Sequence, residues 1–253
     1  MKKGLINQYG GLGDIIFCYK IAHSLVDRDL VDVVVWPVPP RYLCLNYYFA
    51  NENIIFCGDD NSRPQVVDGM GIAAQREMFS RQEVIETEDY LYLPLTHHTH
   101  NGDNQFDMCE KYSFLGLDYN HRQSCINLRR NTNREEKLIA FLGIEPSENL
   151  TLVNLNLGTP PDYCSRHPDI EIDAENLLYI EYLDFDFVFD WIPYILKCKK
   201  FYTVETSFSH LADLLVKESV TILPRYDPST GNHSKSLDYC KKYYNKKWNF
   251  IEI

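Results

Sequence analysis

Positive charge is scarce in this chain. Its 253 residues carry 25 lysines and arginines against 36 aspartates and glutamates, a formal net charge of −11. That balance excludes a protein whose main partner is a phosphate backbone, and an anionic ligand needs a local positive site. Long apolar runs are lacking as well. No stretch approaches the ~18 to 20 consecutive apolar residues of a membrane span, and no signal-peptide run follows Lys2 and Lys3, so the expected compartment is the cytosol. There is no GxxxxGK-type phosphate loop, no GxSxG elbow, no internal repeat and no low-complexity segment. Glycine and proline, at 12 each, are outnumbered by 18 tyrosines, a composition of ordered rather than disordered chains. Cysteine is plentiful, but the residues at 18, 44, 57, 109, 125, 164, 198 and 240 form no CxxC or zinc-ligand spacing. Several sit in apolar runs, so packed, reduced thiols are expected.

Two rounds of strand and helix alternation run along the chain. Residues 4–9 read as a strand, 10–14 (GGLGD) as a turn, and Ile15, Ile16, Tyr19, Ala22 and Leu25 recur at helical spacing. The apolar run VDVVVWP at 31–37 suits a parallel strand buried on both faces. A short helix at 41–50, strands at 53–58, 64–69 and 89–95, and a helix over 104–117 complete a first α/β half. A polar stretch at 118–134 links it to a helix at 135–144. The second half alternates strands at 151–158, 177–183, 199–207 and 220–224 with helices at 185–198 and 209–218. Pro193 implies a kink or a late start in the former. The expected division is 1–130, 131–231, and a tail at 232–253 whose five lysines leave open a membrane-surface contact. The tail's aromatic residues favour packing back on the body.

Three places carry chemistry-bearing residues. The turn at 10–14 fails the GxGxxG spacing, because Ile16 stands at the third glycine position, but it delivers Asp14 to a helix start. Ordinary capping accounts for an aspartate there, and so does a general base at the mouth of a cleft. VETSFSHL at 204–211 runs a strand into a helix whose first turn offers N–H groups, the hydroxyls of Thr206, Ser207 and Ser209, and the His210 imidazole. That donor set suits a diphosphate, although hydroxyl-rich helix starts are also common caps. Glu205 beside them is better suited to sugar hydroxyls. The loop at 158–169 contains Arg166, whose planar fork fits phosphate oxygens, with His167 next to it. His97, His98 and His100 lack a carboxylate or cysteine partner nearby, so they read as cleft lining and no metal site is expected.

On these residues the chain resembles the GT-B glycosyltransferases, specifically their heptosyltransferase-related branch. Gly13 and Asp14 match a Gly-Asp pair brought to the first helix. DMCEKYSFLGL at 107–117 is similar to the helix before that family's crossover. EEKLIAFLGI followed by TLVNLNLG resembles the entry to the donor domain, and VETSFSHL parallels the family's Val-Asp-Thr-Gly-x-x-His-Leu signature. The resemblance spans nearly the whole chain. It implies a compact α/β protein of two Rossmann-like α/β/α domains facing across a cleft, with the acceptor side at 1–130 and the nucleotide-sugar side at 131–231.

The activity it implies is inverting, metal-independent transfer of a sugar from a nucleotide-diphosphate sugar to the hydroxyl of a glycan or other acceptor, in glycan biosynthesis, with no further cofactor. Asp14 would be the general base. Gly11, Gly13, Arg166, Glu205, Thr206, Ser207, Ser209 and His210 would line the donor. Departures from the pattern are Glu205 for an aspartate, Ser207 for a glycine, Arg166 where a lysine is usual, and a shortened segment between 158 and 177. Two other readings stay open: a non-catalytic nucleotide- or sugar-binding module on the same fold, and a sugar-nucleotide epimerase.

Overall fold

The computed structural model describes residues 1–8, 11–58, 77–95, 110–113, 115–118, 128–157, 166–168, 170–181, 183, 187–227, 232–233, 241, 244 and 247–251. The strand expected at 64–69, the His97, His98 and His100 loop, and most of the linker, of the 158–169 loop and of the tail lie outside them. The chain divides into two units, Met1–Arg129 and Arg130–Ile253.

In the first unit, β1 (Lys3–Ile6), β2 (Val33–Val38), β3 (Ile54–Gly58), β4 (Ile85–Glu86) and β5 (Tyr90–Leu93) form one sheet in the order β3-β2-β1-β5-β4. All its pairings are parallel except β4 with β5. The two-residue β4 was not legible as a strand. Pro37 is tolerated because β2 pairs with β1 only as far as Val35, so the missing N–H falls beyond that ladder. α1 (Leu12–Asp27) buries all five residues of the predicted stripe. It lies so close to β1 that a Cβ on Gly4 would stand 3.2 Å from Leu25, and 3.1 Å from Val31 just after the helix. Asp29, at φ 53°, makes the left-handed turn after this helix. The short helix expected at 41–50 is a 3-10 turn, Pro40–Tyr42, followed by α2 (Leu45–Tyr48). The described part of the 104–117 helix is α3 (Glu110–Ser113).

The second unit opens with α4 (Thr132–Leu142), three residues earlier than the spacing indicated, because the Asn131 side chain accepts from Arg134 N–H at 3.3 Å. Gly143, at φ 63°, supplies the left-handed C-cap. The parallel strands β6 (Thr151–Asn154), β7 (Leu177–Tyr179), β8 (Lys200–Val204) and β9 (Val220–Leu223) are followed by a two-strand ribbon, β10 (Tyr226–Asp227) with β11 (Asn232–His233). The last strand, β12 (Asn249–Phe250), joins the edge of β9, giving the order β12-β9-β8-β6-β7. Pro193 starts a helix rather than kinking one. It is the second residue of α5 (Ile192–Lys197), after a 3-10 turn at Val188–Trp191. α6 (Ser207–Leu214) follows β8. From the tail, Tyr244 and Trp248 are buried and stacked at 4.7 Å, and Trp248 Nε1 donates to Lys217 O at 2.6 Å. Among the described residues no helix is long and apolar enough to cross a membrane.

α4 is tied to the turn before α5 by charge. Buried Asp190 accepts from Arg134 Nε at 2.9 Å and Nη2 at 2.7 Å, and from Phe187 N–H at 2.7 Å. Hydrogen bonds to a charged group contribute roughly 1.5 to 3 kcal/mol. Asp190→Ala should therefore lower the unfolding free energy by about 2 to 3 kcal/mol in urea, with Asp190→Asn losing less; an unchanged midpoint for both would contradict this account.

Candidate functional site

In open parallel sheets a ligand crevice forms at the carboxyl ends of the strands where the strand order turns. In the first unit that point lies between β1 and β5. Asn7, just past β1, donates its N–H to Leu93 O at 2.9 Å and its Nδ2 to Phe79 O at 2.8 Å and Tyr92 Oη at 3.0 Å. The next residue, Gln8, is buried. Its carbonyl accepts from Trp36 Nε1 at 3.2 Å, and its Oε1 accepts from Lys111 Nζ at 2.8 Å. Lys111 also reaches Asp14 Oδ1 at 3.3 Å. Its side chain is 6% exposed, whereas that of Asp14 is 38% exposed. A buried ammonium thus holds an accessible carboxylate.

Asp14 is the third residue of α1 and does not cap it. Gly11 is the N-cap, with no side-chain hydrogen bond, and Gly13 is the second helical residue. A Cβ on Gly11 would meet only Asp14 Oδ2, at 3.9 Å, so the glycine leaves that flank of the carboxylate uncovered. Sequence reasoning did not single out Gln8 or Lys111. They are 103 residues apart, and no local pattern signals their pairing.

One turn along α1 from Asp14, Cys18 is wholly buried. Burial pushes its thiol from 9.0 up to about 12, with the Lys111 ammonium opposing that rise and the Asp14 carboxylate adding to it. Cys18 is a neutral core group near neutral pH, with no thiolate to serve as a nucleophile.

In the second unit the order turns between β6 and β8. Asn154, at the end of β6, is fully buried and donates Nδ2 to Thr203 Oγ1 at 3.0 Å and Thr206 Oγ1 at 3.2 Å. Thr206 is the N-cap of α6. Its N–H donates to Ser209 Oγ at 3.1 Å, so the helix begins at Ser207, two residues earlier than expected. Ser209 Oγ also donates to Thr206 O at 2.7 Å and lies 2.6 Å from Tyr244 Oη. These bonds use the Ser209 hydroxyl inside the fold. His210 stands beside them, its ring 5.5 Å from that of Tyr244 and its Nε2 3.6 Å from Glu205 Oε1. Glu205 Oε2 in turn lies 3.7 Å from Arg225 Nη1.

Glu205, Thr206, Ser207, Ser209 and His210 therefore gather at one strand-to-helix junction. Arg166 sits toward β7, its guanidinium over the Tyr179 ring at 5.5 Å and its Nη1 3.9 Å from Glu181 Oε1. Its backbone bridges to Asn156, and His167 N–H donates to Leu155 O at 2.7 Å. Among the described residues no group of three His, Cys, Asp or Glu side chains could hold a metal ion.

No protein-family model matches the chain, and no curated protein does. Among solved structures, it is similar to the crystal structure of the glycosyl transferase family 9 from Veillonella parvula DSM 2008. That match has a TM-score of 0.50 and 12% identity, and it covers 100% of this chain and 86% of that one. At this identity the likeness is one of fold, a mixed α/β architecture with two sheets of mainly parallel strands.

The Cys18 environment gives a pH prediction. The unfolded thiol loses its proton near 9, while the folded one keeps it to about 12, so the folded state binds more protons over that interval. Stability should fall as pH rises above 9, at about 1.4 kcal/mol per unit from this group. Tyr19, raised from 10.0 by burial, should add to the fall above 10. Urea unfolding at pH 8, 9.5 and 11 checks this, and Cys18→Ala should remove the portion that begins near 9. Equal stability at all three values would count against it.

Proposed function

We propose that this protein is a glycosyltransferase that moves a sugar from a nucleotide-diphosphate donor to an acceptor hydroxyl, with inversion and without a metal. The observation that carries the reading is the likeness in fold, over the whole chain, to a glycosyl transferase family 9 structure. The two crevices support it with suitable chemistry. The first unit supplies an accessible carboxylate, Asp14, fixed by Lys111 and Gln8. The second supplies a helix start with Ser207 and His210.

In the proposed step the acceptor oxygen attacks the anomeric carbon while Asp14 takes its proton. The bond from that carbon to the diphosphate oxygen breaks, and its electron pair leaves with the nucleoside diphosphate. N–H groups at the start of α6, with Ser207 and His210, would stabilise the charge gathering there. Glu205 would bind donor-sugar hydroxyls. Thr206 and Ser209 would act by fixing that helix start, and Gly11 and Gly13 by leaving backbone close to the reacting groups. A reducing compartment such as the cytosol suits the chain's eight cysteines.

Asp14→Asn should keep the fold and donor binding while lowering turnover ~10²-fold or more, the scale of a lost general base. Transfer assays with a panel of nucleotide sugars and acceptors, alongside donor titrations, measure both. Near-normal transfer by the variant would remove Asp14 from the role. Binding by the wild type without transfer to any acceptor would favour a binding module.

A further inference from the structure

The site just proposed needs a cation for the departing diphosphate, and cations are scarce in a chain of net charge −11. Arg166 is the residue that sequence position suggests. Its surroundings point elsewhere: it lies against Tyr179, in the edge strand β7, and Glu181. Arg225 is better placed. It comes two residues after β9, whose neighbour β8 runs directly into Glu205 and α6. Its Nη2 donates to Leu157 O at 3.2 Å, past the end of β6, and its Nη1 faces Glu205 Oε2 at 3.7 Å. One guanidinium thus spans the carboxyl ends of β6, β8 and β9, at the place where the strand order turns.

Arg225 is also free to engage a ligand in a way that a buried arginine is not. Its side chain is 48% exposed, and among the described residues one of its five N–H donors makes a hydrogen bond, to Leu157 O. Glu205, with a side chain 19% exposed, stands between Arg225 and His210, at 3.7 Å from one and 3.6 Å from the other. Facing the guanidinium from one side, this carboxylate sets where Arg225 presents its other donors. A planar fork held in this way matches two oxygens of a diphosphate, the geometry in which a guanidinium outperforms an ammonium.

We propose that Arg225, positioned by Glu205, is the diphosphate-binding cation of the second unit and that Arg166 is not. The proposal rests on the glycosyltransferase reading for its ligand class and on the geometry at β6, β8 and β9 for its residue. Calorimetric titration of the full chain with inorganic diphosphate and with nucleoside diphosphates tests it in wild type, Arg225→Gln, Arg225→Lys and Arg166→Gln, each checked for an unchanged unfolding midpoint.

Arg225→Gln should weaken diphosphate binding ~10- to 100-fold, the span expected for a lost charged hydrogen bond, with Arg225→Lys intermediate and Arg166→Gln within about 2-fold of wild type. In a Glu205→Gln background the further loss from Arg225→Gln should shrink, because the arginine is no longer held; a merely structural Glu205 would leave that loss unchanged. Loss at Arg166→Gln with none at Arg225→Gln overturns the proposal, and so does a wild type that binds no diphosphate. Failure of the glycosyltransferase reading has a separate sign: diphosphate binding that depends on Arg225, with no sugar transfer by the wild type.

Discussion

Where the order of a parallel sheet turns, the connections on either side leave in opposite directions, and no helix roofs the carboxyl ends of the two strands at that point. Both units of this chain are built around such a reversal, between β1 and β5 in the first and between β6 and β8 in the second. Three candidate functional groups depend on it. Asp14 stands where α1 departs from β1, and Glu205 and His210 stand where α6 departs from β8. The same constraint dictates the polar residues nearby. Buried backbone carbonyls nearby must find partners, and side chains supply them: Asn7 donates to Phe79 O and Trp36 to Gln8 O in one unit, Asn156 to Ile180 O in the other.

The second reversal also explains why hydroxyls that look available in the sequence are not. Asn154, Thr203, Thr206 and Ser209 form a buried network in which each side chain serves another part of the fold. Within a low-dielectric interior such a network is rigid when complete and unfavourable when one member is missing. Its place at the helix start fixes the direction of the α6 N–H groups and of His210. Residues that bind nothing themselves can in this way set what their neighbours bind.

Much of the architecture was legible in the sequence because burial leaves a local record. The runs at 31–37 and 220–224 are apolar because the faces of a parallel strand are largely covered, whereas in the edge strand β3 Ile55 is exposed, and the α1 stripe repeats with the helical period. Short elements left no such record: β4 and β12 have two residues each and exist only through a partner strand. Helix starts moved where a side chain distant from the apolar pattern made the cap, as Asn131 does for α4. Asp14, Glu205 and His210 were legible because they sit next to turns. Lys111, Gln8 and Arg225 were not, since their roles arise from contacts 20 to 103 residues away in the chain.

The tie between Ser209 and Tyr244 joins the start of α6 to a residue 35 positions further along, and β12 closes the sheet beyond that. Synthesis therefore delivers α6 well before the ring that packs against its first turn. A nascent chain that has reached β9 has the strands of the crevice but not the clamp on its helix. Under the proposed function, ligand affinity in the second unit would be acquired only after Tyr244 and β12 have docked, which separates the time at which the crevice strands form from the time at which they can bind.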